Sequence, residues 1–81
     1  MAIDILYFAW VREGVGAGHE RVDPPAGVAT VGDLIGWLAE RHEVLADRSK
    51  LRAAVDQQFV AMDTPIAGAR EIAIFPPVTG G

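Results

Sequence analysis

The 81 residues have a mass of 8.6 kDa, which is enough for one small domain and excludes a multidomain enzyme. The chain has no cysteine, which excludes disulfides, thiolate zinc sites and dithiol redox motifs, so its stability must come from the 51% of hydrophobic residues. The net charge of −4 and the scattered positions of the lysine and arginines argue against a nucleic-acid partner, which needs clustered basic side chains.

The run Ile3–Trp10 predicts the first strand, because it is rich in β-forming residues and too short for a convincing helix. Asp4 marks the solvent face, so the alternation of a strand directs the odd-numbered side chains to the core: Ile3, Ile5 and Tyr7. The same alternation places the apolar Leu6 and Phe8 beside Asp4, which is unusual for a face in contact with water.

Two short elements follow this strand. The segment 11–16 predicts one or two helical turns before a glycine-rich stretch, and His19–Asp23 predicts a weak second strand. Pro24 and Pro25 end that strand, since proline cannot donate to a β-ladder.

The main helix is predicted to begin at Thr30, because Thr30 and Asp33 have the spacing of a capping box. One stripe follows at intervals of three and four residues: Val31, Leu34, Ile35, Leu38 and His42. Polar residues on or beside the opposite face are expected to be in water: Glu40, Arg41 and Glu43.

Three strands are predicted in the second half of the chain. Inward-facing residues are expected in each: Leu51, Ala53 and Val55 in the first, Val60 and Met62 in the second, Ile72 and Ile74 in the last. The order strand, strand, helix, strand, strand, strand predicts an α+β domain in which a small sheet packs over one helix.

The end of the chain is the first candidate site, and it reads Phe75, Pro76, Pro77, Val78, Thr79, Gly80, Gly81. Two prolines favour a stiff, extended exit from the last strand, and the two glycines have no Cβ. We expect a flexible tail over 76–81 that can enter a channel too narrow for side chains and present the carboxylate of Gly81. The alternative is a frayed terminus without a function.

The apolar residues on the outward-facing side of the strands form the second candidate site: Leu6, Phe8, Phe59, Ala61, Ala73 and Phe75. Several large apolar side chains on one face of a small sheet are typical of a surface that binds a partner. The alternative is that one strand faces the other way, or that a loop covers this face. Because Phe75 lies at the root of the tail, a partner that binds this face also receives Gly81.

Conventional site chemistry is poorly represented. His19 and His42 have no ligand-spaced partner, so we expect no metal. The stretch 14–18 has three glycines but lacks the lysine and hydroxyl residue of a phosphate-binding loop, which favours a flexible turn.

The N-terminal residues do not resemble a signal peptide, and no apolar run approaches the roughly 20 residues of a membrane span. We therefore expect a cytoplasmic protein.

These residues together resemble the family of molybdopterin synthase small subunits (MoaD), which are ubiquitin-like sulfur carriers with the β-grasp fold. The resemblance spans residues 3–81. It is carried by four segments: LYFAWVRE at 6–13, TVGDL at 30–34, AAVDQ at 53–57 and, as the most specific, FPPVTGG at 75–81. Two departures are Asp56, where the family commonly has asparagine, and Gly14, which replaces an apolar residue.

The resemblance implies a single β-grasp domain over 1–81, with a mixed sheet packed on one main helix. It implies that an activating enzyme uses ATP to adenylate Gly81, and that a sulfur donor protein converts the adenylate to a thiocarboxylate. The large synthase subunit, in an expected heterotetramer, then transfers the sulfur to cyclic pyranopterin monophosphate. In that scheme this chain binds no cofactor, and catalysis belongs to the large subunit.

Three alternatives stay open on the residues alone. A terminal Gly-Gly also suits a carrier for thiamine or cysteine synthesis, and it suits a modifier that forms isopeptide bonds with lysines. The third alternative is an interaction domain with an inert tail.

Overall fold

The computed structural model describes residues 2–77. The elements in chain order are β1 (Ile3–Tyr7), α1 (Ala9–Val15), β2 (His19–Val22), α2 (Val31–Ala39), two 3-10 turns (Glu43–Leu45 and Arg48–Lys50), β3 (Arg52–Val55), β4 (Gln58–Val60) and β5 (Glu71–Phe75). The five strands form one sheet in the order β2-β1-β5-β3-β4. Only the pair β1 and β5 is parallel, so the sheet is mixed and the predicted α+β, β-grasp architecture is confirmed.

The helix α2 supplies one layer of the core because its first turn is capped and one of its faces is apolar. Thr30 Oγ1 accepts a hydrogen bond of 3.1 Å from the Asp33 amide, and Asp33 Oδ2 accepts one of 3.2 Å from the Thr30 amide. Four residues of the predicted stripe are completely buried against the sheet: Val31, Leu34, Ile35 and Leu38. His42 differs, because α2 ends at Ala39 and His42 precedes the first 3-10 turn.

The strand β1 is shorter than the predicted strand Ile3–Trp10, and this prediction was wrong at its C-terminal end. The Phe8 amide makes a last ladder bond of 3.3 Å to the Ile74 carbonyl. The Phe8 carbonyl then accepts from the amides of Val11 and Arg12, and Ala9 has a φ of 54°, so the chain turns into α1. Trp10 is consequently a helix residue.

Several core residues come from segments that the sequence pattern did not assign to the core. Leu45 from the first 3-10 turn is fully buried, and Ile66 and Ala69 from the segment before β5 are also buried. The strand β4 ends at Val60, so Met62 lies outside it, although both residues pack at the margin of the core. Irregular segments therefore close the core where the sheet and α2 leave it open.

Gly14 lies where α1 approaches the first 3-10 turn. A Cβ built on Gly14 would lie 2.5 Å from Cγ2 of Val44, which is too close for a real contact. The apolar residue that the family commonly has at this position would not fit here without a shift, because Val44 already fills the space.

Candidate partner-binding face and tail

The outer face of the sheet, which is the face away from α2, carries a row of apolar side chains across four strands. The register pairs Leu6 of β1 with Ala73 of β5, Ala73 with Ala54 of β3, and Ala54 with Phe59 of β4. Residues that are directly opposite on paired strands point to the same face. The outward orientation expected for Leu6, Phe59 and Ala73 is therefore confirmed, and their binding role stays a prediction.

Large aromatic side chains on this face, or next to it at the end of β1, are exposed or half-buried. Phe59 is 79% exposed and Phe8 is 48% exposed, while Phe75 is half-buried. The rings of Phe59 and Phe75 are in contact, with centroids 5.4 Å apart and planes tilted by 42°. Such exposed aromatic surface on one face of a small protein is typical of a partner-binding site.

A shallow groove of about 270 Å³ lies along this aromatic pair. Its lining includes Phe59, Phe75 and the exposed Arg52, which lies directly opposite Phe75 on the neighbouring strand. The alternation predicted for Leu51, Ala53 and Val55 implies that Arg52 points outward. Only the pairing of β3 with β5 brings it to the aromatic residues, so the sequence pattern could not assign it to the site.

The tail begins where this aromatic surface ends. Pro76 and Pro77 follow Phe75 directly and are half-buried. The other tail residues that the sequence singled out lie outside the described residues: Val78, Thr79, Gly80 and Gly81. Because β5 runs parallel to β1, the chain leaves the sheet at the edge where β1 ends, and the Phe8 amide bonds to Ile74 there.

Trp10 is a further exposed aromatic residue near the start of α1, and the sequence analysis missed it as a surface candidate. It is 41% exposed. The sequence pattern predicted a strand through Trp10. It therefore gave no indication that Trp10 lies in the first turn of a helix.

The opposite end of the outer face is charged. Asp4 Oδ1 lies 3.1 Å from His19 Nε2 and 3.9 Å from Arg21 Nη1 on β2, and Glu71 is opposite Asp4 on β5. The outer face therefore has an apolar end next to the tail and a polar end away from it.

Asp56 holds the start of β5 and the residue before it in place. It lies in the two-residue turn between β3 and β4, where Asp56 and Gln57 have φ values of 48° and 74°. Its Oδ1 accepts hydrogen bonds from the amides of Arg70 and Glu71, at 3.1 and 3.0 Å. An asparagine Oδ1 can accept the same bonds, so the departure at Asp56 preserves this structural role.

A second polar group links β1, β2 and the segment after α2. Tyr7 donates a hydrogen bond of 2.9 Å to Glu20 Oε1, and His42 Nε2 lies 3.2 Å from the same oxygen. Arg41 Nη1 lies 3.8 Å from Glu20 Oε2. Burial raises the pKa of Tyr7 above its usual value, and its hydrogen bond to Glu20 raises it further.

The pKa of Glu20 is lowered by these neighbours. Partial burial alone would raise it, but the hydrogen bonds from Tyr7 and His42 and the positive charge of Arg41 favour the carboxylate and determine the net direction. The cluster of Tyr7, Glu20, His42 and Arg41 includes a tyrosine of the core. We therefore assign the cluster a role in the stability of the fold.

The described residues offer little for other site chemistry. Each histidine is paired with a single carboxylate, His19 with Asp4 and His42 with Glu20. Residues 2–77 contain no cluster of three or more histidines and acidic residues that could hold a metal ion. None of the helices in this part of the chain is long and apolar enough to cross a bilayer.

Comparisons with known proteins match the whole chain. The family model of the ThiS family covers residues 5–81. The molybdopterin synthase sulfur carrier subunit of Escherichia coli is 42% identical over 82 residues, covering 98% of this chain and 99% of that protein. The subunit of the same name from Homo sapiens is 31% identical, covering 98% of this chain and 93% of that protein.

A solved structure shares the fold over its full length. SAMP1 from Haloferax volcanii, 30% identical, superposes with a TM-score of 0.77 and covers 100% of both chains. The abbreviation stands for small archaeal modifier protein 1.

Proposed function

This chain belongs to the ThiS family, and on that premise we propose that it is the sulfur carrier subunit of a molybdopterin synthase. The observation that carries the proposal is the continuity of the aromatic outer face with the tail. Phe59 and Phe75 are in ring contact, and the sequence after Phe75 is Pro-Pro-Val-Thr-Gly-Gly. A protein that binds this face also receives the terminal glycines, which follow Phe75 by five and six residues in the sequence.

The chemistry takes place at the carboxylate of Gly81. A carboxylate is a poor electrophile, so the activating enzyme first lets a Gly81 oxygen attack the α-phosphorus of ATP, and pyrophosphate leaves. A sulfur nucleophile at the oxidation level of hydrosulfide, delivered by a donor protein, then attacks the carbonyl carbon. The C–O bond to AMP breaks, AMP leaves, and a thiocarboxylate remains on Gly81.

The large subunit performs the second half of the reaction. The tail enters its active site, and the thiocarboxylate sulfur forms a bond to the pterin substrate, cyclic pyranopterin monophosphate. Water then cleaves the C–S bond to Gly81, which regains its carboxylate, and two such transfers supply the two sulfurs of the dithiolene. Two carriers and two large subunits form a heterotetramer in the cytoplasm. In this scheme the carrier is a cosubstrate, and the catalytic side chains and the pterin site belong to the large subunit.

The test alters the length of the tail. Appending one alanine after Gly81 moves the carboxylate by about 3.3 to 3.6 Å in an extended chain. Misplacements near 1 Å can cost on the order of 10²-fold in rate when reacting groups must align. Deletion of Gly81 and addition of the alanine should therefore each abolish thiocarboxylate formation, measured by intact mass with ATP and the cognate activating enzyme.

Dithiolene synthesis with the large subunit gives the second readout, and thermal unfolding gives the control. Deleting or adding one terminal residue is expected to alter the free energy of unfolding by less than about 0.5 kcal/mol. Near-normal sulfur transfer by either altered chain would disprove the terminal-carboxylate mechanism.

The likeness to small archaeal modifier protein 1 favours a second candidate function, a modifier joined to other proteins through Gly81. Activation by adenylation is common to both functions, so thiocarboxylate formation alone does not separate them. Adducts of Gly81 with lysine side chains in the native host would support the modifier. Loss of dithiolene synthesis in a deletion strain, without such adducts, would support the sulfur carrier.

A further inference from the structure

Arg52 is a positive charge beside the aromatic pair of the outer face, and it has no ion-pair partner among residues 2–77. It lies on β3 directly opposite Phe75, and it lines the same groove as Phe59 and Phe75. Side chains that face each other across paired strands are close neighbours, with Cβ atoms about 4.5 to 5.5 Å apart. Arg21, on β2, also lies on the outer face of the sheet, and it has Asp4 as an ion-pair partner. Within residues 2–77, Arg52 has no such partner.

Backbone contacts orient the guanidinium of Arg52. Its Nη1 donates to the Leu51 carbonyl at 2.8 Å and lies 3.5 Å from the Ser49 carbonyl. An arginine has five N–H donors, and these contacts use only Nη1. The Nε and Nη2 donors form the edge that matches the two oxygens of a carboxylate, and in the described part of the chain this edge makes no hydrogen bond.

We propose that Arg52 determines partner specificity on the outer face, because the large subunit places a carboxylate against its Nε and Nη2 edge when it covers Phe59 and Phe75. This inference rests on the proposed function. A partner that covers the aromatic pair also removes water from Arg52, and a desolvated charge without a partner is strongly unfavourable. A surface with the right apolar shape but no carboxylate is thus rejected.

The experiment measures binding of the unmodified carrier to the cognate large subunit by calorimetry at low and high salt. We expect Arg52→Glu to weaken binding about tenfold or more at low salt, because it sets two carboxylates against each other. Arg52→Lys keeps the charge but loses the two-pronged geometry, and it should weaken binding by about threefold to tenfold.

Arg70→Glu is the matched control. Arg70 is exposed and precedes β5, at the polar end of the strand and away from the tail, and the charge change is the same. It should change binding by less than about twofold, since exposed charges far from a contact are screened. Thermal unfolding of all three variants shows whether the fold is kept.

The decisive step is charge exchange. Acidic residues on the large subunit are replaced one at a time by arginine, and one replacement should restore binding of Arg52→Glu while it weakens binding of the wild-type carrier. Equal effects of Arg52→Glu and Arg70→Glu, or a loss confined to adenylation by the activating enzyme, would overturn the inference. Both of these results concern Arg52 alone, so the proposed function stands as long as the wild-type carrier binds the large subunit and transfers sulfur. If the wild-type carrier neither binds nor transfers sulfur, the proposed function itself fails.

Discussion

The inner face of the sheet and the tail-side end of its outer face are built from the same strands and are both apolar, yet only the inner face is covered within the described chain. On β5, Ile72 and Ile74 point inward and are completely buried, while Ala73 and Phe75 point outward and are only half-buried. The two faces differ because the apolar stripe of α2 packs on the inner face and covers it. Strands that are apolar on both sides need two covers. Because the fold supplies one, we expect the second to come from another protein.

The largest effect should come from the inner face. Replacing Leu38, which is fully buried in α2, with alanine should lower the free energy of unfolding by about 2 to 5 kcal/mol, because the vacated volume does not refill. Denaturant titration measures this. The matched outer-face change is Phe59→Ala, which should cost less than about 0.5 kcal/mol at a surface position. Similar losses for both variants would mean that the two faces do not differ in the way the burial indicates.

The next effect should come from the outer face and should appear in binding. Phe75→Ala removes a ring that contacts Phe59 at the root of the tail. Truncation of an aromatic residue at the centre of an interface commonly costs about 2 kcal/mol or more in binding. Affinity for the large subunit, measured by calorimetry, should fall while the chain remains folded. Unfolding of Phe75→Ala, with unchanged affinity per folded molecule, would place Phe75 in the core instead.

The smallest effect should come from the polar group at Glu20, which joins β1, β2 and the segment after α2 without touching the outer face. Glu20→Gln should lower stability at neutral pH by about 1.5 kcal/mol, because the hydrogen bonds from Tyr7 and His42 then end on a neutral oxygen instead of a carboxylate. The attraction between Glu20 and Arg41 is lost as well. The exposed Glu40 provides the matched control, as Glu40→Gln, and it should have little effect.

The pH dependence of this stability difference has a definite sign. The folded-state pKa of Glu20 is lowered from 4.5, so its contribution is present above pH 4.5 and disappears as the pH falls toward the folded value. The stability difference between wild type and Glu20→Gln should therefore shrink below pH 4.5 in acid titration of unfolding. A difference that stays constant through that range would contradict the assignment of the shift to Glu20. Binding to the large subunit at neutral pH should not change.

Local patterns in the sequence were sufficient for the elements whose residues interact with near neighbours. The capping box at Thr30 and Asp33, the stripe through Leu38 and the alternation in β1 and β5 were all predicted correctly, because helix and strand periodicity repeat within a few residues. The tail motif and the outward parity of Phe59 and Phe75 also followed from sequence, and the motif identified the family.

Only the tertiary structure decided the features that depend on distant pairing. The end of β1 at Tyr7 depends on a hydrogen bond from Phe8 to Ile74 on the last strand, so no pattern near Trp10 could reveal it. Arg52 meets Phe75, and His42 meets Glu20, because β3 pairs with β5 and the segment after α2 returns to β2. Leu45 is in the core because the first 3-10 turn packs against α1 and α2. Such contacts join residues far apart in the chain, and their energies depend on geometry that a one-dimensional periodicity does not contain.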